Sequence, residues 1–446
     1  MRSDRRGLTR RGFLSLAARG ALAYPLARHG LAAFARQAPS QGVPAIPPNW
    51  ELNAEELLEE IVSRAFLFFW NEAGKRSGLV KDRAPADGTP DGRQLSSIAA
   101  TGFGLAALCI GHEREYLPRH TIAARVLRTL SFALNHVEHV NGFFYHFIDI
   151  NTGKRLILSE VSPIDTTIFL CGALTAKAYF RNAEISHLAT TLYQRVQWRW
   201  MLNGGDTLSM GWKPESGFLD ARWSHYCELM MMYLLGMGAA NEPLPASTWK
   251  AWSRPTYTYE GLTYISSGDP LFTHQYSQAW FDFRSKRDAY ANYFENSVTA
   301  TKAHKLFCLS LKKKFPDYAD NLWGITSSDS QHGYVAWGGP PAMGAIDGTV
   351  VPCAAGGSVA FLYEDCMAVL RNMRSAPGVW GRYGYTDAFN PLNSWVNPDV
   401  IGIDVGITML MVENHRTGFV WKTFMSSPEV QKGMEAAGFH ETRAAG

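Results

Sequence analysis

The chain is 446 residues long and carries 43 Lys and Arg against 40 Asp and Glu, a net charge of +3. Hydrophobic residues make up 46% and charged residues 19%, which excludes a disordered chain and supplies a large core. The positive surplus collects at Arg2, Arg5, Arg6, Arg10, Arg11 and Arg19, so the nearly neutral remainder excludes a basic nucleic-acid surface.

In chain order, Thr9-Arg10-Arg11-Gly12-Phe13-Leu14 and the Ala- and Leu-rich run to Ala35 predict a twin-arginine export signal over residues 1–35. Such a signal carries a folded bacterial protein to the periplasm or beyond. Arg19 and Arg28 interrupt the apolar run, which argues against a permanent membrane anchor. Residues 36–50 read as a linker, and 51–446 as one domain.

Residues 54–70 place Leu57, Leu58, Ile61, Val62, Ala65, Phe66 and Phe69 at helical spacing behind an Asn53/Glu56 capping box. Further helices are predicted over 97–111, 120–138, 163–181, 185–202, 222–238, 288–314, 356–375 and 403–417, with shorter ones near 245–252, 275–284 and 427–437. About twelve helices without a sequence repeat suit helical pairs closing into a ring. The intervening loops, 139–162, 203–221, 253–287, 317–355 and 376–402, are long and rich in Gly, Trp, Tyr, His and acidic residues. Loops of that length are usually functional when they are this aromatic, so a loop-built cleft is expected at one end of the helices.

Cys109, Cys171, Cys227, Cys308, Cys353 and Cys366 stand singly, without CxxC spacing or pairing with a nearby His in a metal-ligand pattern, and predict mostly buried thiols with no metal and no cofactor. A phosphate-binding glycine loop and a serine nucleophile elbow are both missing from the sequence.

Acidic residues in apolar or aromatic surroundings remain. Glu228, in Trp223-Ser-His-Tyr-Cys-Glu228, opens an apolar stretch where desolvation would keep a proton available for donation. The alternative is a buried Glu paired with Arg222 or His225. Asp165, in Ser162-Pro-Ile-Asp165, and Asp404, in Gly402-Ile-Asp404, each stand at a helix start, either as caps or as cleft carboxylates. Asp387 lies in an aromatic loop, as a substrate contact or an Asx-turn. Glu160 and Arg155 are expected to pair at the same opening. Trp212, Trp223, Phe272, Tyr276, Trp280, Trp337, Tyr385 and Trp395, near His274, Gln275, Arg284 and Asn414, favour a polyhydroxylated ligand, since sugar C–H faces pack on aromatic faces.

These blocks also carry a resemblance: Phe144-Tyr-His-Phe-Ile-Asp149 with Gly153-Lys-Arg155, Ser162-Pro-Ile-Asp165-Thr, Gly211-Trp-Lys-Pro and Trp223-Ser-His-Tyr226-Cys-Glu228. Ser267-Gly-Asp-Pro-Leu-Phe272-Thr-His274-Gln275-Tyr, Gly324-Ile-Thr-Ser-Ser-Asp329, Asp387-Ala-Phe-Asn-Pro, Gly402-Ile-Asp404-Val-Gly and Glu413-Asn414-His-Arg-Thr-Gly418 continue it. The chain resembles the glucoamylase-like domain family and, within it, the bacterial β-1,2-glucan-degrading enzymes of glycoside hydrolase family 144. The resemblance implies an all-α fold, an (α/α)6 toroid of six helical hairpins, hydrolysing glycosidic bonds with inversion and without metal. It implies Glu228 as general acid, with Asp404 or Asp165 as base. The substrate contacts expected from the residues themselves are Arg155, Glu160, Trp212, Trp223, Tyr226, Phe272, His274, Gln275, Trp337, Asp387, Trp395 and Asn414. Inversion calls for carboxyls about 6.5–9.5 Å apart, or farther with a relaying substrate hydroxyl.

The expectation is therefore an exported, monomeric glycoside hydrolase acting on a β-linked glucan, β-1,2 foremost. A non-catalytic periplasmic glucan-binding protein and an (α/α)6 polysaccharide lyase are the alternatives.

Overall fold

A computed structural model describes residues 53–442 apart from 269. The expected export signal and the linker lie outside the described residues.

The first helix, α1 (Ala54–Asn71), begins with the expected capping box: Asn53 accepts from Glu56 N–H at 3.0 Å, and Glu56 returns the bond to Asn53 N–H at 2.9 Å. Its buried face is the predicted stripe from Leu57 to Phe69. Three other helices are buried on every side and form the centre: α2 (Ile98–Glu113), α4 (Pro163–Phe180) and α11 (Gly402–Thr417). α2 packs against α4 and α11, and α1 covers α11. The α2–α4 crossing brings backbones into contact, because a Cβ on Gly172 would stand 2.0 Å from the Gly102 carbonyl oxygen. Only two glycines allow that approach.

Around this centre lie α3 (Arg119–Asn135), α5 (Ala183–Gln194), α6 (Met230–Gly238), α7 (Ser247–Ala251), α8 (Tyr293–Ser310), α9 (Pro352–Gly356), α10 (Tyr363–Arg374), α12 (Phe419–Phe424) and α13 (Pro428–Ala436). The chain is helix-rich. Its long loops are not featureless, however: among the described residues they contain nine two-stranded antiparallel ladders.

Several predicted helices differ: the 185–202 helix ends at Gln194 and is followed by a 3-10 turn at Trp198–Leu202, and the 288–314 helix starts only at Tyr293. The helix expected over 222–238 starts only at Met230, because residues 222–226 pair with other loops: Trp223 N–H donates to Leu208 at 2.8 Å and Tyr226 N–H to Ser253 at 2.9 Å. The expected 356–375 helix breaks into α9 and α10, and 275–284 forms one 3-10 turn, Tyr276–Ala279, just after another at Leu271–His274. All six cysteines are buried and free. Among the described residues, no helix is long and apolar enough to cross a membrane.

Candidate active site

Helices α4 and α11 open at the same end of the molecule, and their first turns deliver Asp165 and Asp404 to one cavity of about 660 Å³. Glu228 reaches it from the turn before α6. The three carboxyls are buried, at 5% exposure for Glu228, 7% for Asp404 and 9% for Asp165. Phe147, Trp223, Phe272, Tyr276, Tyr334 and Trp395 supply aromatic wall.

Asp165 does not complete a capping box. Ser162 N–H is occupied by the Phe144 carbonyl, so the Asp165 carboxylate instead takes the Ser162 hydroxyl and turns towards His146. His146 bridges two acids, with Nδ1 3.1 Å from Glu160 Oε1 and Nε2 3.7 Å from Asp165 Oδ1. Burial disfavours the charged ring, yet Asp165 and Glu160 lift its pKa to about 9. Burial also works against ionised Glu160, but the His146 bond outweighs it and holds that carboxyl below its ordinary value. For Asp165 burial prevails and the shift is upward, opposed by His146 and Ser162. These three side chains offer ligand atoms within 4.8 Å of one another, the spacing of a metal site. With both ring nitrogens on carboxylates, a proton supplies the positive charge that an ion would bring.

Asp404 makes no helix cap either. Its Oδ1 accepts from the Cys353 thiol at 3.3 Å, and its carboxyl bonds that of Asp387. Burial raises Asp404 to about 6, with the bonds from Asp387 and Cys353 limiting the rise. Burial and the Asp404 charge push Asp387 well above the ordinary carboxyl range. Tyr276 stands among these groups: burial raises its hydroxyl pKa strongly, and Asp404 and Glu228 both add to the rise.

The far wall is a lattice of paired charges. Arg83 bridges Asp82 at 3.0 Å and Asp329 at 2.6 Å, while Arg93 grips Asp399 through two bonds of 2.6 and 2.7 Å. Carboxyls of different proton affinity around an aromatic-walled cavity are equipped for general acid–base chemistry on a polyhydroxylated ligand.

Comparison with known proteins agrees with that chemistry. Residues 220–428 match a family model described as "Putative glucoamylase". An exo β-1,2-glucooligosaccharide sophorohydrolase (non-reducing end) from Parabacteroides distasonis is 30% identical over 427 residues, covering 86% of this chain and 58% of that protein. Over residues 220–428 the chain is similar to the glucoamylase-like family. It thus spans somewhat over half the length of that curated relative. The endo-β-1,2-glucanase of Chitinophaga pinensis, solved with sophorotriose and glucose, superposes with a TM-score of 0.81 at 27% identity, covering 87% of this chain and 99% of the other. A β-1,2-glucanase structure from Parabacteroides distasonis gives 0.81 at 27% identity, over 87% of this chain and 60% of that one.

In this chain the cavity gathers Glu228, Asp404, Asp165, Glu160, Trp223, Phe272 and Trp395 from the predicted set. The remainder are placed elsewhere. Arg155 pairs with Glu215 at 2.5 Å, not with Glu160, whose partner is His146. Trp212 stacks near Trp200, centroids 5.9 Å apart, outside the lining. Tyr226 and His274 bond each other at 3.0 Å in the interior, and burial, aided by His304, lowers His274 to about 3. Gln275 donates to the Ala354 carbonyl at 3.0 Å and the Ser358 hydroxyl at 2.8 Å, and Trp337 to Ser328 at 3.1 Å. Asn414 donates to the Ala279 carbonyl at 2.8 Å and accepts from Trp421 N–H at 3.1 Å. Asp387 lies behind Asp404 on a separate cavity of about 30 Å³. These polar groups satisfy the interior rather than face the cleft.

Lining residues not singled out from the sequence include Asp82, Arg83, Arg93, His146, Tyr334, Asn397 and Asp399. His146 stood within a quoted motif, between Tyr145 and Phe147; its backbone is held by the Glu160 carbonyl at 2.9 Å and the Ile98 N–H at 3.2 Å, contacts that local sequence does not show.

Proposed function

We propose that this chain is a glycoside hydrolase cleaving β-1,2-glucan with inversion, with Glu228 as general acid and Asp404 as general base. The observation that carries the reading is the convergence of both carboxyls on one aromatic-walled cavity, where the Tyr276 hydroxyl feels the charge of each. The sophorohydrolase and the endo-glucanase it resembles, both named for β-1,2-linked glucans, support the substrate. A volume of about 660 Å³ is of the size of small-molecule sites and suits a few sugar rings.

Glu228 passes its proton to the departing glycosidic oxygen as the bond to the anomeric carbon breaks. Asp404, ionised at neutral pH with its pKa near 6, takes a proton from the attacking water, directly or through a substrate hydroxyl. Attack from the face opposite the leaving group inverts the anomeric centre. Asp165 and Glu160, tied to His146, are the better acceptors for substrate hydroxyls, and Trp223, Phe272 and Trp395 the platforms for ring faces.

On the same reading residues 51–446 are a single (α/α)6 toroid of the glycoside hydrolase family 144 kind. The helix-rich fold and the structural likeness to a β-1,2-glucanase support this. The chain works as a monomer in the periplasm or outside the cell, delivered by the twin-arginine segment at Arg10-Arg11.

The test is Glu228→Gln on linear β-1,2-glucan, with reducing ends counted and product anomers followed by NMR. Turnover is expected to fall about 10³-fold with KM nearly unchanged, and the wild type to release α-anomers first. Undiminished turnover removes Glu228 from its role, and β-anomers appearing first exclude inversion.

A further inference from the structure

We propose that Asp387 is a positioning residue: it holds the one proton of the Asp387–Asp404 pair on Oδ1 and donates it to Asp404, fixing that carboxylate ionised towards the cleft. The proposal rests on Asp404 acting as base, a role in which Asp387 itself never touches the substrate.

The geometry distinguishes the two oxygens of Asp387. Oδ2 accepts from the Asp329 backbone N–H at 2.8 Å and from Asn397 Nδ2 at 3.1 Å. Oδ1 is fully buried and receives no donor among the described residues. A buried anionic oxygen without a donor is costly, and a proton on it turns the defect into a hydrogen bond. The carboxyl that Asp387 engages is that of Asp404. Two adjoining buried carboxylates cannot both ionise, so one proton is shared.

The surroundings place the charge on Asp404. It sits in the first turn of α11, where the aligned peptide dipoles favour an anion, and it accepts from the Cys353 thiol at 3.3 Å. Asp387 has no such helix end. The other titratable groups facing the pair are Asp82, Asp329, Arg83, Tyr276 and Tyr334. The acids among them disfavour a second negative charge, and Arg83 is already held by Asp82 and Asp329.

Asparagine has the shape of a protonated aspartic acid: its oxygen can accept from Asp329 and Asn397 while its NH₂ donates to Asp404. For Asp387→Asn, kcat on β-1,2-glucan is expected to stay within about tenfold of wild type with KM unchanged. The acid limb of kcat/KM should keep its position, because asparagine replaces a neutral acid and Asp404 keeps its donor; a move to lower pH would mean that a negative neighbour had been removed. For Asp387→Ala, kcat should drop about 100-fold or more, again at constant KM. An asparagine variant as inactive as Asp404→Asn, or one with raised KM and normal kcat, overturns the proposal.

A second readout needs no turnover. The wild type loses stability as pH rises from about 4 towards neutrality, because folded Asp387 keeps a proton that the unfolded chain releases. Asp387→Asn is free of that loss, so its unfolding midpoint in urea should gain on wild type across that range. An equal offset at both ends, or an asparagine chain that cannot fold, contradicts a neutral Asp387. Absence of glucan cleavage by the wild type would strike the proposed function and leave this measurement standing.

Discussion

Replacing His146 with glutamine tests the charge assignment at the cleft. Burial favours a neutral ring, but Asp165 and Glu160, with Asp82 beyond, bring its pKa from 6.5 to about 9. The folded chain therefore binds this proton more tightly than the unfolded one. Its stabilisation is complete below about pH 6.5 and disappears as pH climbs through about 9. A rise of that size corresponds to ~3 kcal/mol, and screening where the ring meets cleft water brings it to ~2 kcal/mol. Urea unfolding of wild type and His146→Gln at about pH 6 and about pH 10 measures it. The wild-type advantage should be ~2 kcal/mol larger at the lower pH. The same advantage at both values would mean a neutral ring between two acids, and the reasoning would fail.

The proposed base gives a kinetic counterpart. With Asp404 near 6, kcat/KM should decline tenfold for each pH unit on the acid side of about 6, since a protonated base cannot accept from water. A flat profile down to about pH 4 would exclude it. Gly172→Ala directs a Cβ to 2.0 Å from a backbone oxygen that has no room to move, so a loss of ~3 kcal/mol or failure to fold is expected in chemical denaturation. Gln275→Ala separates the sugar-contact reading of the sequence from the structural one. Unpairing the Ser358 hydroxyl and the Ala354 carbonyl should cost ~2 kcal/mol of stability while KM stays put.

The scaffold was legible because its signals are local. Asn53 and Glu56 announce α1 by spacing alone, and the apolar runs of α2, α4 and α11 read as buried helices. The start of α6 was not legible, since Trp223 and Tyr226 are drawn off by Leu208 and Ser253, partners outside any helical window. The same distinction divides the site. Ser162-Pro-Ile-Asp165 contains everything needed for a capping box, and what diverts the carboxylate is the Phe144 carbonyl, 18 positions before Ser162, holding the serine N–H. His274, Gln275 and Asn414 resembled sugar-binding groups for a related reason. A polar side chain in an aromatic loop has the same local sequence whether it meets a hydroxyl in a cleft or a carbonyl in the core, and only packing decides.

Charge pairing around the cavity explains why Asp404, rather than Asp165, suits the proposed base. Asp82 and Asp329 share Arg83, Asp399 takes Arg93, and Glu160 and Asp165 share His146. The cationic His146 works against protonation of both its partners: it holds Glu160 below its ordinary value and opposes the rise that burial gives Asp165. The groups bonded to Asp404 are a neutral thiol and a second carboxyl, a setting that leaves its proton affinity close to neutral pH. Efficient proton transfer favours a base whose pKa approaches the working pH. Moving a cation next to Asp404 should therefore damage turnover more than binding: Cys353→Lys, by placing an ammonium at the thiol's position, would lower the affinity of the carboxylate for the proton of water while the aromatic platforms still held the glucan.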